Sequence, residues 1–242
     1  MIALICSVQA EADNLFDSAT ATETTTLGSK SILRGKLGGR DALLCVSGMG
    51  KVNAAHAATL LTQFAPEAFF VFGIGGAYPS SGAVVGDIAL AKMEIAGDEG
   101  VLTQDGFKDA SYIGIPLLKT ATSVIYSTYH APEPLLKHAL MLLLDQQNSL
   151  QCKVHVGAFV TLSTCTGTSA RAAELEQRYH GLCENMEGAA VAQVAELHSI
   201  PWLEVRGISN LVEDRNLATW DIPRAARAVQ QAVRCIVESR FS

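Results

Sequence analysis

Short apolar runs alternate with segments of helical periodicity along most of the chain. In the alanine-rich segment KVNAAHAATLLTQF, apolar residues recur at the spacing of one helical face, which predicts a helix. Uninterrupted apolar runs such as IALICSV, DALLCVSG, AFFVFGIGG and PWLEVRGIS predict strands that are buried on both faces. This alternation predicts an α/β fold with helices on both faces of a mostly parallel sheet.

One irregular segment interrupts the alternation. Residues 92–134 carry Gly, Asp, Ser and Pro without a clear period, and we interpret them as a surface excursion within the same domain. The chain shows no internal repeat and no low-complexity linker. Because 242 residues are enough for one large α/β core, we expect residues 1–242 to form a single domain.

Composition restricts the partners and the compartment. The chain is 49% hydrophobic and 17% charged, which is typical of a compact globular protein, and its formal net charge of -6 gives no basic surface for nucleic acid. No apolar run is long enough to span a membrane, and the first residues lack the basic region of a signal peptide. The six cysteines form no C-x-x-C pair. We therefore expect a cytoplasmic protein without a nucleic-acid or membrane partner.

Polar and small residues stand at the ends of several predicted strands. Ligands in open α/β sheets bind beyond the carboxyl ends of the strands. We therefore expect residues from distant parts of the sequence to meet at one edge of the sheet. These candidates are Glu11, Gly73, Gly75, Gly76, Ser163 to Thr168, Met186, Glu187, Ser209 and Asn210.

The two glutamates in this set each admit two interpretations. An acidic residue near the start of a helix is stabilised by free backbone N–H groups, and this alone accounts for Glu11 and Glu187. Alternatively, Glu11 is a buried general base, and Glu187 accepts hydrogen bonds from the vicinal hydroxyls of a sugar. The local pattern leaves both interpretations open.

The remaining motifs argue against several kinds of site. GMGKV lacks the Ser or Thr and the spacing of a phosphate loop, and GIGGAY has Tyr78 where a dinucleotide fingerprint requires Gly. The histidines lack metal-ligand spacing, and no Ser occupies a G-x-S-x-G motif. The glycines of GIGG suit either a tight turn or a close approach to a ligand. We therefore expect neither a metal centre nor a serine nucleophile.

Four segments in chain order resemble the nucleoside phosphorylase and nucleosidase superfamily. They are ALICSVQAEADNL, VSGMGKVNAAHAATLL, GIGGAYPSSGAVVGDI and ENMEGAAVAQVAELHSIPWLEVRGISN, of which the last carries the most specific pattern. GAFVTLSTCTGTSARA and RGISNLVEDR are similar to the futalosine hydrolase subfamily. The resemblance implies a single-domain, three-layer α/β/α sandwich around a twisted, mixed, mostly parallel sheet. It also implies a homo-oligomer and a reaction that needs no cofactor.

The resemblance assigns a role to each candidate. The substrate is a purine nucleoside whose ribose lies over Met186, while Glu187 holds the ribose hydroxyls and Glu11 activates a water. Two carboxylates near the sugar stabilise the positive charge that grows there as the carbon–nitrogen bond stretches. The glycines on the sugar side are Gly75 and Gly76, and the residues beside the purine are Cys165, Thr166, Ser209 and Asn210. An ordinary strand-to-helix turn is the open alternative for Cys165 and Thr166.

Two sequence differences indicate the nucleophile and the base. The loop VFGIGGAY has no Arg, and Ile74 occupies the place of a phosphate-binding hydroxyl, so we expect water as the nucleophile. Related adenine nucleosidases have ISD where this chain has ISN. The amide of Asn210 has two N–H donors and suits N7 and O6 of a 6-oxopurine. We therefore predict that futalosine is hydrolysed and hypoxanthine is released.

Two other functions are compatible with parts of the sequence. A nucleosidase for methylthioadenosine, adenosylhomocysteine or aminodeoxyfutalosine has the same scaffold, but Asn210 disfavours it. A nucleoside-binding protein without catalysis has no reason to keep two acids that are costly to bury. Futalosine also carries a benzoate at its 5′ end. We expect the 92–134 excursion to face this group, and an Arg, Lys or His to bind its carboxylate.

Overall fold

The computed structural model describes residues 1–15, 21–121 and 123–239, without the side chains of Ala21 and Thr22. The strands in these ranges are β1 (Ile2–Cys6), β2 (Ala21–Leu27), β3 (Lys30–Leu37), β4 (Arg40–Val46), β5 (Phe69–Ala77), β6 (Ile88–Ala96), β7 (Gly100–Thr103), β8 (Gly106–Asp109), β9 (Leu118–Lys119), β10 (Val124–Ile125), β11 (Thr128–His130), β12 (Val154–Thr161), β13 (Gly181–Asn185) and β14 (Trp202–Leu211). The α-helices are α1 (Lys51–Leu61), α2 (Ala110–Ile113), α3 (Glu133–Leu150), α4 (Ser169–Tyr179), α5 (Gly188–His198) and α6 (Ile222–Glu238).

Ten of the described strands form one mixed sheet. Its order is β11-β6-β12-β13-β5-β1-β4-β3-β2, and β14 pairs with both β5 and β6. Parallel pairs join β1 to β4 and β5, β5 to β14, and β12 to β6 and β13. The remaining pairs, including the β2–β3–β4 meander, are antiparallel. The mixed α/β sheet expected from the sequence is confirmed.

Five strands of this sheet close on themselves. β5, β14, β6, β12 and β13 pair in that order, and an antiparallel pairing of β13 with β5 completes the ring. The alternation of strands and helices does not predict this closure. Strand order and direction depend on hydrogen bonds between residues that lie far apart in the sequence, and the local pattern carries no information about them.

Helices cover both faces of the sheet, as the alternation predicts. Successive residues of a strand point to opposite faces, and in β1 Ala3 and Ile5 belong to one buried cluster while Ile2 and Leu4 belong to another. Small residues of α1 and α5 join the first cluster and let these two helices approach closely. Leucines of α3 and the valines of α6 join the second. None of the described helices is long and apolar enough to cross a membrane.

The ring of strands determines which side chains meet. Gly76 near the end of β5 pairs with Glu184 of β13 on one side and with Asn210 of β14 on the other. β1 lies parallel to β5, and a short 3-10 helix, Gln9–Glu11, follows β1 at the same edge. Positions 11, 76, 184 and 210 are therefore brought together although they span most of the sequence.

Candidate active site

One cleft at this edge of the sheet is lined by all nine residues to which the family resemblance assigns a role. The empty volume of the cleft, with the open solvent at its mouth, is about 830 Å³. The predicted members are Glu11, Gly75, Gly76, Cys165, Thr166, Met186, Glu187, Ser209 and Asn210. The other lining residues are Ser7, Val8, Met49, Ile74, Glu184, Asn185, Arg206, Val212 and Trp220. Gly73, Ser163, Thr164, Gly167 and Thr168 lie outside the lining.

Glu11 is a buried hydrogen-bond acceptor, 2% exposed, and not a solvated helix-start acid. Its Oε2 accepts bonds from the backbone N–H of Ser7 (2.9 Å), the Ser7 hydroxyl (2.8 Å) and the Val8 N–H (3.1 Å). Its Oε1 accepts a bond from the Ile74 N–H at 2.9 Å. Donors from two strand ends therefore fix the orientation of the carboxylate before any ligand binds.

Gly73 lets this carboxylate approach β5. A Cβ at position 73 would lie 2.5 Å from Oε1 of Glu11 and 2.9 Å from Nη1 of Arg206. Any side chain there would force these two groups away from the strand. Gly73 does not line the cleft, but it permits the close packing of the residues that do.

Glu187 is buried at the start of α5 and is held from two directions. Its Oε1 accepts a bond from the N–H of Gly50 at 2.9 Å, and its Oε2 accepts one from Nη2 of Arg206 at 3.1 Å. Gly50 belongs to the GMGKV segment and has a φ of 94°, a conformation that favours glycine. This segment, which lacks the phosphate-loop pattern, therefore serves to position Glu187.

Arg206 is the main site residue that the sequence analysis did not select. Its Nε donates to Oε1 of Glu204 (2.7 Å), its Nη2 donates to Glu187, and its Nη1 donates to the carbonyl of Ile74 (3.1 Å). Burial lowers the pKa of Arg206, but the carboxylates of Glu204, Glu187 and Glu11 outweigh this and hold it above its usual value. The guanidinium therefore stays charged although its side chain is only 2% exposed.

A second pair of acids lies behind Arg206. Glu94 and Glu204 are both 0% exposed. Glu94 accepts bonds from the Thr161 hydroxyl (2.6 Å) and the Asn185 amide (2.8 Å). Burial, and then the charge of Glu204, raise the pKa of Glu94 well above its usual value. Glu204 in turn accepts the hydrogen bond from Nε of Arg206.

The opposite end of the cleft contains the amide of Asn210. Its Nδ2 donates to the carbonyl of Leu211 (2.8 Å), and its Oδ1 accepts a bond from the Ser209 hydroxyl (2.8 Å). The contact with a carbonyl fixes the orientation of the amide, because a carbonyl only accepts. One of the two N–H donors expected for a ligand is therefore already bonded to the protein. The second N–H of Nδ2 is left to donate to a ligand.

Thr166 contacts Glu184 across the same end. Its backbone N–H donates to Oε1 of Glu184 (2.8 Å), and its hydroxyl donates to Oε2 (2.6 Å). The resemblance places Thr166 beside the purine, but its backbone N–H thus has a partner within the chain. Cys165 beside it is exposed, and its Sγ lies 3.4 Å from Sδ of Met186.

These contacts define two ends of the cleft. We call the residues Ser7, Glu11, Glu187 and Arg206 the arginine end, and Thr166, Glu184, Ser209 and Asn210 the amide end. Within the described ranges, no group of three or more His, Cys, Asp or Glu side chains is placed to hold a metal ion.

The rim of the cleft differs from the expectation for the 92–134 excursion. No described residue of that segment lines the cleft. The rim instead includes Trp220, which follows β14, and the guanidinium carbon of Arg215 lies 4.7 Å from the centre of the Trp220 ring. Arg215 is anchored by its backbone N–H, which donates to the carbonyl of Gly167. The segment between β14 and α6 therefore places a cation beside Trp220 of this rim.

The chain belongs to the Phosphorylase superfamily, whose family model matches residues 1–238. It is 36% identical over 162 residues to the futalosine hydrolase of Streptomyces coelicolor, an alignment that covers 66% of this chain and 61% of that enzyme. It is 29% identical over 245 residues to the 5'-methylthioadenosine/S-adenosylhomocysteine nucleosidase of Geobacillus sp. (strain WCH70), with 98% of both chains covered. The crystal structure of the corresponding nucleosidase from Neisseria meningitidis, in complex with methylthio-immucillin-A, covers 99% of both chains at 22% identity with a TM-score of 0.84, and this likeness concerns the fold.

Proposed function

We propose that this chain hydrolyses the N-glycosidic bond of futalosine and releases hypoxanthine, with water as the nucleophile. The observation that carries the proposal is the arginine end of the cleft. Two buried carboxylates, Glu11 and Glu187, line one cleft, and the guanidinium beside them is already paired. A relative named as a futalosine hydrolase, at 36% identity, and one named as a nucleosidase, at 29% identity, support the reaction class.

The carboxylates suit a reaction in which a sugar becomes positively charged. Glu187 is held by Gly50 and Arg206, so its remaining acceptor capacity points to the hydroxyls of a ribose. As the carbon–nitrogen bond stretches, both carboxylates stabilise the growing charge without moving. Oε1 of Glu11 accepts one bond from the described residues, from Ile74, and so retains a lone pair for the proton of an attacking water.

Phosphate is a less suitable nucleophile than water in this cleft. An oxyanion needs a charged donor, and a bidentate arginine is the usual one. Among the described lining residues the one arginine is Arg206, and each of its three nitrogens donates one bond within the protein, to Glu204, Glu187 or the Ile74 carbonyl. Its charge is paired with the carboxylates of Glu187 and Glu204. A phosphate beside Glu11 would therefore meet carboxylates without a free cation.

The base and the 5′ substituent are inferred from the other residues of the cleft. The remaining N–H of Asn210 suits an acceptor such as O6 or N7 of a 6-oxopurine. Arg215 at the rim is in none of the ion pairs found among the described residues, and it stacks on Trp220. A guanidinium in that position suits a carboxylate carried by the substrate, as in the benzoate of futalosine.

A nucleosidase for methylthioadenosine or adenosylhomocysteine is the second candidate. It is favoured by the Geobacillus relative, which aligns over 98% of the chain, whereas the alignment with the futalosine hydrolase of Streptomyces coelicolor covers 66%. The two candidates differ in the base and in the charge of the 5′ substituent. If futalosine is the substrate, Asn210 contacts the base and Arg215 contacts the 5′ substituent, so these two residues bear on the choice between the candidates.

Base release in phosphate-free buffer tests the proposal. Purified protein is incubated with futalosine, inosine and methylthioadenosine, and free bases are separated by chromatography. We expect hypoxanthine from futalosine at the highest rate, and we expect added phosphate to leave that rate unchanged. Strict dependence on phosphate would contradict hydrolysis. Faster release of adenine from methylthioadenosine would favour the second candidate.

A further inference from the structure

Glu184 is a buried acid at the amide end to which the proposed mechanism assigns no task. It lines the cleft and is 9% exposed. None of the ion pairs among the described residues includes it. A carboxylate that is removed from water without a cation is costly, so its retention in the cleft calls for a ligand-directed explanation.

The position of Glu184 relative to Asn210 is fixed by strand pairing. Glu184 and Asn210 pair with the same residue, Gly76, from its two sides. A Cβ at Gly76 would lie 3.1 Å from Nδ2 of Asn210. A side chain at position 76 would therefore crowd the amide of Asn210, and Gly76, Glu184 and Asn210 all line the cleft.

The bonds of Glu184 leave one of its acceptor positions available. Oε2 accepts bonds from the hydroxyls of Thr166 and Tyr78, the latter at 3.2 Å. Burial, and then the Glu184 carboxylate, raise the pKa of Tyr78, so this phenol stays a donor. Oε1 accepts one bond from the described residues, the Thr166 N–H. A carboxylate oxygen accepts two, so Oε1 has room for a donor from a ligand.

Together, the two side chains offer an acceptor and a donor to one edge of a base. Hypoxanthine has a donor, N1–H, beside an acceptor, O6. Adenine has the reverse order, with an acceptor at N1 beside the donor amine. Glu184 can only accept in its ionised form, and Asn210 retains an N–H. The pair is therefore complementary to the 6-oxopurine and opposed to the 6-aminopurine.

We propose that Glu184 selects a 6-oxopurine base by accepting a hydrogen bond from N1–H, while Asn210 donates to O6. The inference rests on the proposed function for placing a purine nucleoside in this cleft. Adenine would set the lone pair of N1 against the carboxylate and its amine hydrogens against the N–H of Asn210. Both mismatches leave buried polar groups unpaired, which is the kind of site that discriminates strongly between analogues.

Calorimetric binding of the free bases tests this inference without turnover. Hypoxanthine and adenine are titrated into the wild-type protein and into Glu184→Gln. We expect the wild type to bind hypoxanthine at least about 100-fold more tightly than adenine. We expect Glu184→Gln to reduce that ratio by about tenfold or more, because the new amide presents an N–H to N1.

Tyr78→Phe is the matched control, because Tyr78 contacts the same carboxylate but does not line the cleft. We expect it to leave the ratio of the two affinities unchanged. Equal binding of the two bases by the wild type overturns the inference without any variant, and so does an unchanged ratio in a folded Glu184→Gln protein. If futalosine is not cleaved but the ratio changes as expected, the proposed function fails while the inference about the base stands.

Discussion

The arginine end and the amide end of the cleft are held by different kinds of interaction. At the arginine end, Glu11 accepts bonds from three backbone N–H groups, and Glu187 is paired with a buried guanidinium. At the amide end, Asn210 and Glu184 are bonded to neutral groups, namely hydroxyls, one N–H and one carbonyl. Charge pairing dominates one end, and the direction of hydrogen bonds dominates the other.

Under the proposed function, we expect this difference to separate rate from selectivity. Main-chain donors and a buried ion pair hold the carboxylates of the arginine end in place before the substrate binds, which is the condition for electrostatic stabilisation of a transition state. The amide end instead presents donors and acceptors whose order, under the proposed function, is expected to select the base. Substitutions at the arginine end should therefore slow the reaction for every base, whereas those at the amide end should alter the preference among bases.

Glu11→Gln is expected to have the largest effect. An amide does not accept a proton from water, so we expect kcat to fall by about 100- to 10,000-fold. Because this loss concerns the nucleophile, it should be the same for 6-oxopurine and 6-aminopurine nucleosides that share one sugar. Initial rates of base release at saturating substrate measure it.

Asp13→Asn is the control for this experiment. Asp13 is exposed and follows Glu11 by two residues, and its carboxylate is contacted by the side chain of Gln9. We expect a wild-type rate from this variant. If Glu11→Gln keeps the rate, Glu11 is not the base. If the loss differs strongly between the two bases, the division of the cleft into two functions is wrong.

Arg206→Met tests the buried charges of the arginine end. Removal of the guanidinium leaves the carboxylates of Glu187 and Glu204 without a counterion, and we expect the free energy of unfolding to fall by about 3–5 kcal/mol. The exposed pair of Arg171 and Glu174 is the matched control, with side chains 39% and 46% exposed. For Arg171→Met we expect the free energy of unfolding to fall by less than about 1 kcal/mol. Urea unfolding curves measure both, and equal losses would contradict the proposed importance of burial.

The polar residues at the ends of the predicted strands were the sequence feature that indicated where the cleft lies. Glu11 and Asn210 follow or end apolar runs, and because neighbouring strands end at a common edge, they were expected to meet there. The structure brings them to one cleft. The alternation of strands and helices likewise predicted the layers on both faces of the sheet. These features depend on local patterns, which a single sequence contains.

Other features depend on partners that are distant in the sequence. Two charged residues, Glu204 and Arg206, interrupt an apolar run at a spacing that puts them on one face of a strand, and this was an available signal for a buried ion pair. Their further partners, Glu94 on β6 and Glu187 before α5, are known only from the strand order. The contact of Glu184 with Thr166 has the same origin. Closure of the strand ring therefore creates the parts of the site that local patterns leave undetermined.

The acid pair behind the arginine end predicts a smaller, pH-dependent effect. Burial, and then Glu204, raise the pKa of Glu94, with Thr161 and Arg206 opposing the shift. Above about pH 4.3 the unfolded chain releases a proton that folded Glu94 keeps. The stabilising contribution of Glu94 is therefore complete at acidic pH and is lost as the pH rises toward its folded pKa.

Glu94→Gln removes this titration, so its unfolding free energy should decline less steeply with pH than that of the wild type. The difference in slope has a limit of about 1.4 kcal/mol per pH unit, which corresponds to one proton. Denaturant unfolding from pH 5 to pH 8 measures it. Glu174→Gln is the control, because the hydrogen bond from Arg171 lowers the pKa of Glu174, and its titration falls below this range. Equal slopes for the wild type and Glu94→Gln would mean that Glu94 is ionised in the folded protein and would contradict this prediction.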